Sequence, residues 1–295
     1  MRLRDQHVHS LHSVDCKTDP EENVRQAISL DLTGLTFTEH FDTHPDEWEA
    51  CLYDDRAYSE AIRQLRRQYG SAIFVGKGIE VCYQPDRMDF VLDFLSRHEF
   101  DLVILAVHFF GDHPIDIEKH WDDVTPEEGT RRYLARVLEA VRFCERLHKS
   151  KGHIFDVLAH LDLVKRYTQR FFGCYDTTSH ADLIDEILLA CLEADLTPEI
   201  NTSSLRQDLD ETMPGTGTVI RYEQFGGKAV SLGSDAHLAR SVGAGFDLAL
   251  NMLHTAEITQ LATFENRQRS LIELPSPVDT GRTTEQRTDG GQPDR

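Results

Sequence analysis

Acids and histidines stand where apolar, β-like runs of this chain stop. Asp5-Gln6-His7-Val8-His9 opens the set near the N-terminus, with Asp15 further on. Thr38-Glu39-His40 follow LTGLTF, Glu80 ends IFVGKGIE, and His108 closes DLVILAV. His160 closes IFDVLA, Asn201 closes LTPEI, and Ser234-Asp235-Ala236-His237 close KAVSLG. Imidazole nitrogens mixed with carboxylate oxygens suit divalent zinc, iron or manganese. Parallel barrels carry their active sites at the C-terminal ends of the strands, so this placement predicts one polynuclear metal centre with hydrolytic chemistry.

Spacing strengthens that expectation. His7 and His9 lie one residue apart, so both rings leave the same side of a strand. Asp235 and His237 form an equivalent pair on the last such run, and in a closed barrel the first and last strands are neighbours. Glu80, His108 and His160 add three more strand ends.

The elements that must carry these residues alternate. Strands are expected at 3–9, 33–38, 73–79, 101–107, 153–159, 196–201 and 228–233, with a short edge strand near 270–274. Helices are expected near 20–30, 56–69, 86–97, 126–150, 179–194, 219–225 and 255–265. Two starts are marked by Asp19-Pro20-Glu21-Glu22 and Thr125-Pro126-Glu127-Glu128, each a capping side chain, a proline in the first turn and acids facing the positive helix end. Such alternation means βαβ units and a parallel sheet. An open doubly wound sheet would gather its site at one switch point, using two or three strand ends. Seven functional ends favour an α/β fold of the distorted (β/α)7 barrel type, with the metal site at the C-terminal ends of the strands. Residues 1–274 are expected to form this single barrel domain, and 275–295, without periodicity, a disordered tail.

The formal charge of −20, from 31 basic and 51 acidic residues, argues against nucleic acid or an anionic membrane as partner. No apolar run approaches the length of about 18 residues that a spanning helix needs. The N-terminal MRLRDQHVHS lacks the apolar stretch of a signal peptide. Six scattered cysteines without a CxxC pair fit free thiols in a reducing cytoplasm.

Read in order, Asp5-x-His7-x-His9-Ser10, Thr38-Glu39-His40, Gly78-Ile79-Glu80 and Val107-His108-Phe109 form one series, continued by Ala159-His160-Leu161-Asp162, Glu199-Ile200-Asn201-Thr202-Ser203 and Ser234-Asp235-Ala236-His237. In these motifs the chain resembles the PHP (polymerase and histidinol phosphatase) superfamily over residues 3–245, and within it the monofunctional histidinol-phosphate phosphatase branch. Asn201-Thr202-Ser203-Ser204-Leu205-Arg206 is similar to that branch's N-T-S-G-L-R, with Ser204 where glycine is usual, and Ala106 replaces a common serine.

The resemblance implies two to three divalent metals. The first would take His7, His9, Glu80 and Asp235; the second would share Glu80 and add His108 and His160; the third would take Asp15, His40 and His237. Glu80, Asp235 and His237 are the expected catalytic residues. Asp5 and Glu39 are expected to orient imidazoles from behind, and Arg206 to clamp phosphate bidentately. The implied reaction is hydrolysis of L-histidinol phosphate to L-histidinol and phosphate, in histidine biosynthesis, by a metal-bridging hydroxide. The alternative is a phosphoesterase or phosphodiesterase of the same superfamily acting on another small phosphate ester or nucleotide. A metal-dependent amidohydrolase would bridge its metals with a modified lysine where Glu80 stands, and a degenerate binding domain would show gaps in the ligand set.

Overall fold

The computed structural model describes residues 3–44, 53–207 and 209–275. The expected tail lies outside the described residues, apart from Pro275 itself. Seven strands run parallel, each beside the next in chain order: β1 (Arg4–Val8), β2 (Gly34–Phe41), β3 (Phe74–Cys82), β4 (Leu102–Ala106), β5 (Val157–Leu158), β6 (Thr197–Asn201) and β7 (Ala229–Gly233). An antiparallel hairpin follows, β8 (Gln260–Glu265) and β9 (Gln268–Glu273), with β8 parallel to β7.

The sheet curls until its first and last strands meet. Just past the strand ends, Val8 bridges Ala236; His9 N donates to Ala236 O at 2.9 Å and Asp235 N to His7 O at 2.7 Å. Lower down, β8 takes the place beside β7, and Gln6 joins it to β1. The Gln6 carboxamide donates to Ala262 O at 2.6 Å and accepts from Phe264 N at 2.9 Å, doing with a side chain what a ladder does with backbone. The result is a distorted barrel.

Helices α1 (Pro20–Ser29), α2 (Asp55–Tyr69), α3 (Met88–Arg97), α4 (Pro126–Lys151), α5 (Val164–Phe172), α6 (Ala181–Glu193), α7 (Thr216–Gln224) and α8 (Phe246–Thr255) accompany the strands. The expected caps are present: Asp19 accepts from Glu21 N at 2.8 Å and Thr125 from Glu128 N at 3.2 Å. Among the described residues no helix is long and apolar enough to cross a membrane. The main apolar core lies between sheet and helices, with Val103, Leu105 and Val107 on the outward side of β4 and just beyond it. Alternate residues Leu102, Ile104 and Ala106 face the interior with Val157, Ala159, Ala262 and Phe264. That small plug fills the barrel beneath the polar rim.

Two expectations need correction. The helix placed near 255–265 is two elements, α8 ending at Thr255 and strand β8 from Gln260. The burying face of the helix is Phe246, Ala249, Leu250 and Leu253, whose spacing of three, one and three is helical, whereas Ala262 and Phe264 share one face of a strand. Helix α5 had no counterpart in the expectation, because two of the three residues it buries, Lys165 and Thr168, are polar.

The hairpin is locked to the barrel floor by charge. At its tip, Arg267 Nε lies 2.5 Å and Nη2 3.1 Å from the two oxygens of fully buried Asp156, which also accepts from Val103 N at 2.8 Å. Removing one member of such a pair strands the other in low dielectric. Arg267→Ala should therefore lower stability by about 3 kcal/mol, read as a shift in the urea midpoint, with turnover per folded molecule unchanged. An unchanged midpoint would mean the hairpin is held by packing alone.

Candidate metal centre

Strand register explains why the polar residues converge. His40 on β2 pairs with Glu80 on β3, which pairs with Ile104 on β4, so His40 and Glu80 point inward side by side above the apolar plug. Gly76 and Gly78 make room for their neighbours: a Cβ at Gly76 would sit 2.4 Å from Thr36 Oγ1, and one at Gly78 2.8 Å from Phe37 O. The β1 alternation sends His7 and His9 inward together.

Glu80 and Asp235 each bring a carboxylate oxygen to the paired imidazoles of His7 and His9. His7 Nε2 lies 3.1 Å from His9 Nε2, 3.4 Å from Glu80 Oε2 and 3.8 Å from Asp235 Oδ1. His9 Nε2 lies 3.6 Å from Glu80 Oε2 and 3.3 Å from Asp235 Oδ1. A tetrahedral ion with bonds of about 2.0–2.1 Å spaces its ligand atoms about 3.3–3.4 Å apart, so the cage has the size of a transition-metal ion. Glu80 Oε2 is buried without a hydrogen-bond partner. The residues therefore fit a metal.

The other oxygen of Glu80 faces the opposite way. Its Oε1 lies 2.9 Å from His160 Nε2 and 3.4 Å from His108 Nε2. On the outer side, Asp15 Oδ2 lies 3.5 Å from His40 Nε2 and 3.1 Å from His237 Nε2. His40 also reaches Glu80 Oε2 with Nδ1 at 2.9 Å. Among the described residues, His9-His40-His237, His7-His9-Asp235 and His40-Glu80-His108 each gather three donor atoms within 4.8 Å. All nine residues anticipated as ligands thus converge on one rim. His160 and Asp235 adopt left-handed φ of 22° and 53°, conformations costly for non-glycine residues that here turn ligand side chains into the site.

Electrostatics follow from burial among mixed charges. Burial works against charging His7, but the carboxylates of Glu199, Glu80 and Asp235 outweigh it and hold its pKa well above the usual imidazole value. His40 is raised against burial by Asp15 and Glu80, and His108 by Asp42, Cys82 and Glu80. His9 goes down to about 3, through burial and then the neighbouring His40 and His237. Burial opposes ionisation of Glu80, yet His7, His40 and His108 hold it well below the usual carboxylate range.

The groups behind the rim differ from expectation. Asp5 touches no imidazole; it accepts from Ser234 N at 2.9 Å, Ser234 Oγ at 2.5 Å and Gly243 N at 2.8 Å, and so fastens the loop after β7 to β1. Glu39 reaches His9 through Ser13 rather than directly. The carboxylate that orients a ring is Glu199, with Oε1 2.7 Å from His7 Nδ1 and Oε2 accepting from His160 N at 3.0 Å. Gly233 makes that contact possible, since a Cβ there would lie 2.3 Å from Glu199 Oε1. Asp42, just past β2, stands 3.5 Å from His108 Nδ1. Glu199 is the first residue of the E-I-N motif and faces inward on β6, but the sequence does not say which ring it meets.

Beside the rim lies a cavity of about 410 Å³. Its polar wall includes Glu80, His108, His160 and Asp235, and its other wall Ile115, Leu163, Arg166 and Tyr167. Arg206 is not in that wall; its Nη2 donates to Ser234 O at 2.9 Å and Asp235 O at 3.3 Å, bracing the ligand loop. Arg166, on α5, is the arginine in the wall. It donates to Ser203 Oγ and lies 3.7 Å from Asp235 Oδ2, and its buried Nε has no hydrogen-bond partner.

Known proteins resemble this chain in sequence and in fold. The family model described as PHP domain matches residues 5–203. The histidinol-phosphatase of Lactococcus lactis is 28% identical over 265 residues, covering 90% of this chain and 95% of that protein. The "Probable histidinol-phosphatase" of Clostridium acetobutylicum is 27% identical over 266 residues, covering 89% and 97%. The crystal structure of the L. lactis histidinol phosphate phosphatase, complexed with zinc, L-histidinol and phosphate, superposes with a TM-score of 0.79 at 26% identity, over 91% of this chain and 99% of that one.

Because neighbouring carboxylates raise the affinity of His7, His40 and His108 for protons, an incoming cation has to compete with protons for these rings. Zinc affinity should fall as pH drops, and loading at about pH 7 should release more than one proton per chain. Calorimetry in buffers of different ionisation enthalpy checks this; loading without proton release would contradict it.

Proposed function

The chain belongs to the PHP domain family, and from that premise we propose that it hydrolyses L-histidinol phosphate to L-histidinol and phosphate. The observation that carries this reading is the meeting, in one cavity, of Glu80 and Asp235 from the metal-sized donor cage with an arginine whose Nε has no partner. The two L. lactis comparisons support the substrate: a curated histidinol-phosphatase and a fold match that holds zinc, L-histidinol and phosphate. It acts as a phosphomonoesterase of histidine biosynthesis on a small phosphorylated solute in the cytoplasm.

Two to three divalent ions would be held by His7, His9, Glu80 and Asp235; by Glu80, His108 and His160; and by Asp15, His40 and His237. Bound there, zinc, iron or manganese would supply Lewis acidity, lowering the pKa of water toward neutrality and offsetting charge on phosphoryl oxygens. The chain's residues supply the rest. Glu80 turns one carboxylate oxygen toward His7 and His9 and the other toward His108 and His160, so its charge would serve cations held by either group. Glu199 holds a proton on His7 Nδ1, which would leave Nε2 for a cation in the cage. Arg166 offers guanidinium donors to the phosphate dianion while Ser203 fixes its orientation. Pro114, Ile115, Leu163 and Tyr167 give the organic half of the substrate an apolar wall, and Asp42 and Asp116 put negative charge near its ammonium. Arg206 assists by holding the loop that carries Asp235 and His237.

Arg166→Ala should lower kcat/KM for L-histidinol phosphate by roughly 10²-fold, about 2.7 kcal/mol, with zinc content unchanged. A diester such as bis-p-nitrophenyl phosphate, which lacks the second negative charge, should lose much less. Arg166→Lys should recover only part of the loss, since an ammonium lacks the planar fork. Phosphate-release kinetics on both substrates check this, and equal losses on the two would remove Arg166 from phosphate binding.

A further inference from the structure

Glu199 meets the His7 ring directly, but no carboxylate touches Nδ1 of His9; a hydroxyl does. Ser13 Oγ lies 3.1 Å from His9 Nδ1, 2.6 Å from Glu39 Oε2 and 3.1 Å from the backbone N of His40. We propose that Ser13 is a positioning residue of the metal centre, fixing His9 in the tautomer whose bare Nε2 faces the cage, with Glu39 dictating the direction of the hydrogen-bond chain. This rests on the metal-centre reading above and adds a residue that does not line the substrate cavity and gives no donor atom to the cage.

The assignment follows by counting hydrogens. A serine hydroxyl has one proton to give and two lone pairs to fill. Oε2 of Glu39 already accepts from the backbone N of Ser10 and offers Ser13 its other lone pair, so the Ser13 proton goes to Glu39. The His40 amide can only donate, which fills one lone pair. The remaining lone pair faces His9 Nδ1, which must therefore carry the ring proton. A neutral imidazole protonated at Nδ1 has its free electron pair on Nε2, the atom 3.1 Å from His7 Nε2 and 3.3 Å from Asp235 Oδ1. Glu39 is itself held by Ser10, through N at 3.1 Å and Oγ at 2.5 Å, and is fully buried. One hydroxyl thus ties together the loop after β1, the end of β2 and the electronic state of His9.

The probe is zinc alone, titrated into metal-free protein at about pH 8, above the usual imidazole range, against a chromophoric chelator. Ser13→Ala should weaken zinc binding by about 10–100-fold, the usual scale for a group that orients a ligand. Ser13→Thr, which keeps the hydroxyl, should retain wild-type affinity. In 15N-imidazole spectra of the metal-free protein, His9 should appear as the Nδ1–H tautomer in wild type and as a mixture in Ser13→Ala. KM for L-histidinol phosphate, measured at saturating zinc, should not move. Unchanged zinc affinity and tautomer in Ser13→Ala would overturn the proposal. Should Ser13→Ala fail to fold, the wild-type spectrum decides alone: an Nε2–H signal from His9 contradicts the assignment. Tautomer and zinc affinity are read without substrate, so a protein that failed to hydrolyse L-histidinol phosphate would lose the functional reading and leave this one standing.

Discussion

A single buried carboxylate organises the molecule. Glu80 is 1% exposed, yet surrounding imidazoles hold it ionised, and its two oxygens face different histidine groups. A carboxylate taken out of water at this depth is costly unless positive charge or hydrogen bonds meet it. Here Oε2 has no hydrogen-bond partner, and its near neighbours are imidazole nitrogens of His7, His9 and His40. A divalent ion would meet that arrangement more fully than protons do, because each proton resides on one nitrogen whereas an ion takes several ligands at once.

The barrel serves this requirement. Register between β2 and β3 puts His40 beside Glu80, the seam at Val8 and Ala236 puts His7 and His9 beside Asp235, and the apolar plug below seals off the floor. Glycine supplies clearance at Gly76, Gly78 and Gly233, where any side chain would collide with an inward-facing neighbour. Left-handed backbone at His160 and Asp235 completes the convergence. Stability is sacrificed at the rim and recovered elsewhere, as in the Arg267–Asp156 lock at the opposite end.

How much could be read beforehand divides along physical lines. Ligands at strand ends were legible, because strand periodicity fixes which side chains share a face and chain order in a barrel fixes which ends are neighbours. His7, His9, Glu80 and Asp235 are of this kind. Residues that act across the barrel were not. Glu199 reaches His7 from 192 positions away, and Arg166 comes from a helix whose buried face includes polar Lys165 and Thr168, hiding its amphipathic signal. Asp5 and Glu39 stand out in the sequence as acids beside the ligands, but their partners depend on how the loops after β1 and β7 fold back. The β8 strand is hidden in the sequence because a short run with Leu261, Ala262 and Phe264 does not by itself set a period.

The most direct test of the central claim is anomalous diffraction at the zinc edge from crystals of the zinc-loaded protein. The account predicts one peak inside the cage of His7, His9, Glu80 and Asp235, and a second across the Glu80 carboxylate beside His108 and His160, with Glu80 touching both. Zinc bound away from Glu80, or a Glu80 that contacts no metal in an active crystal, would contradict it.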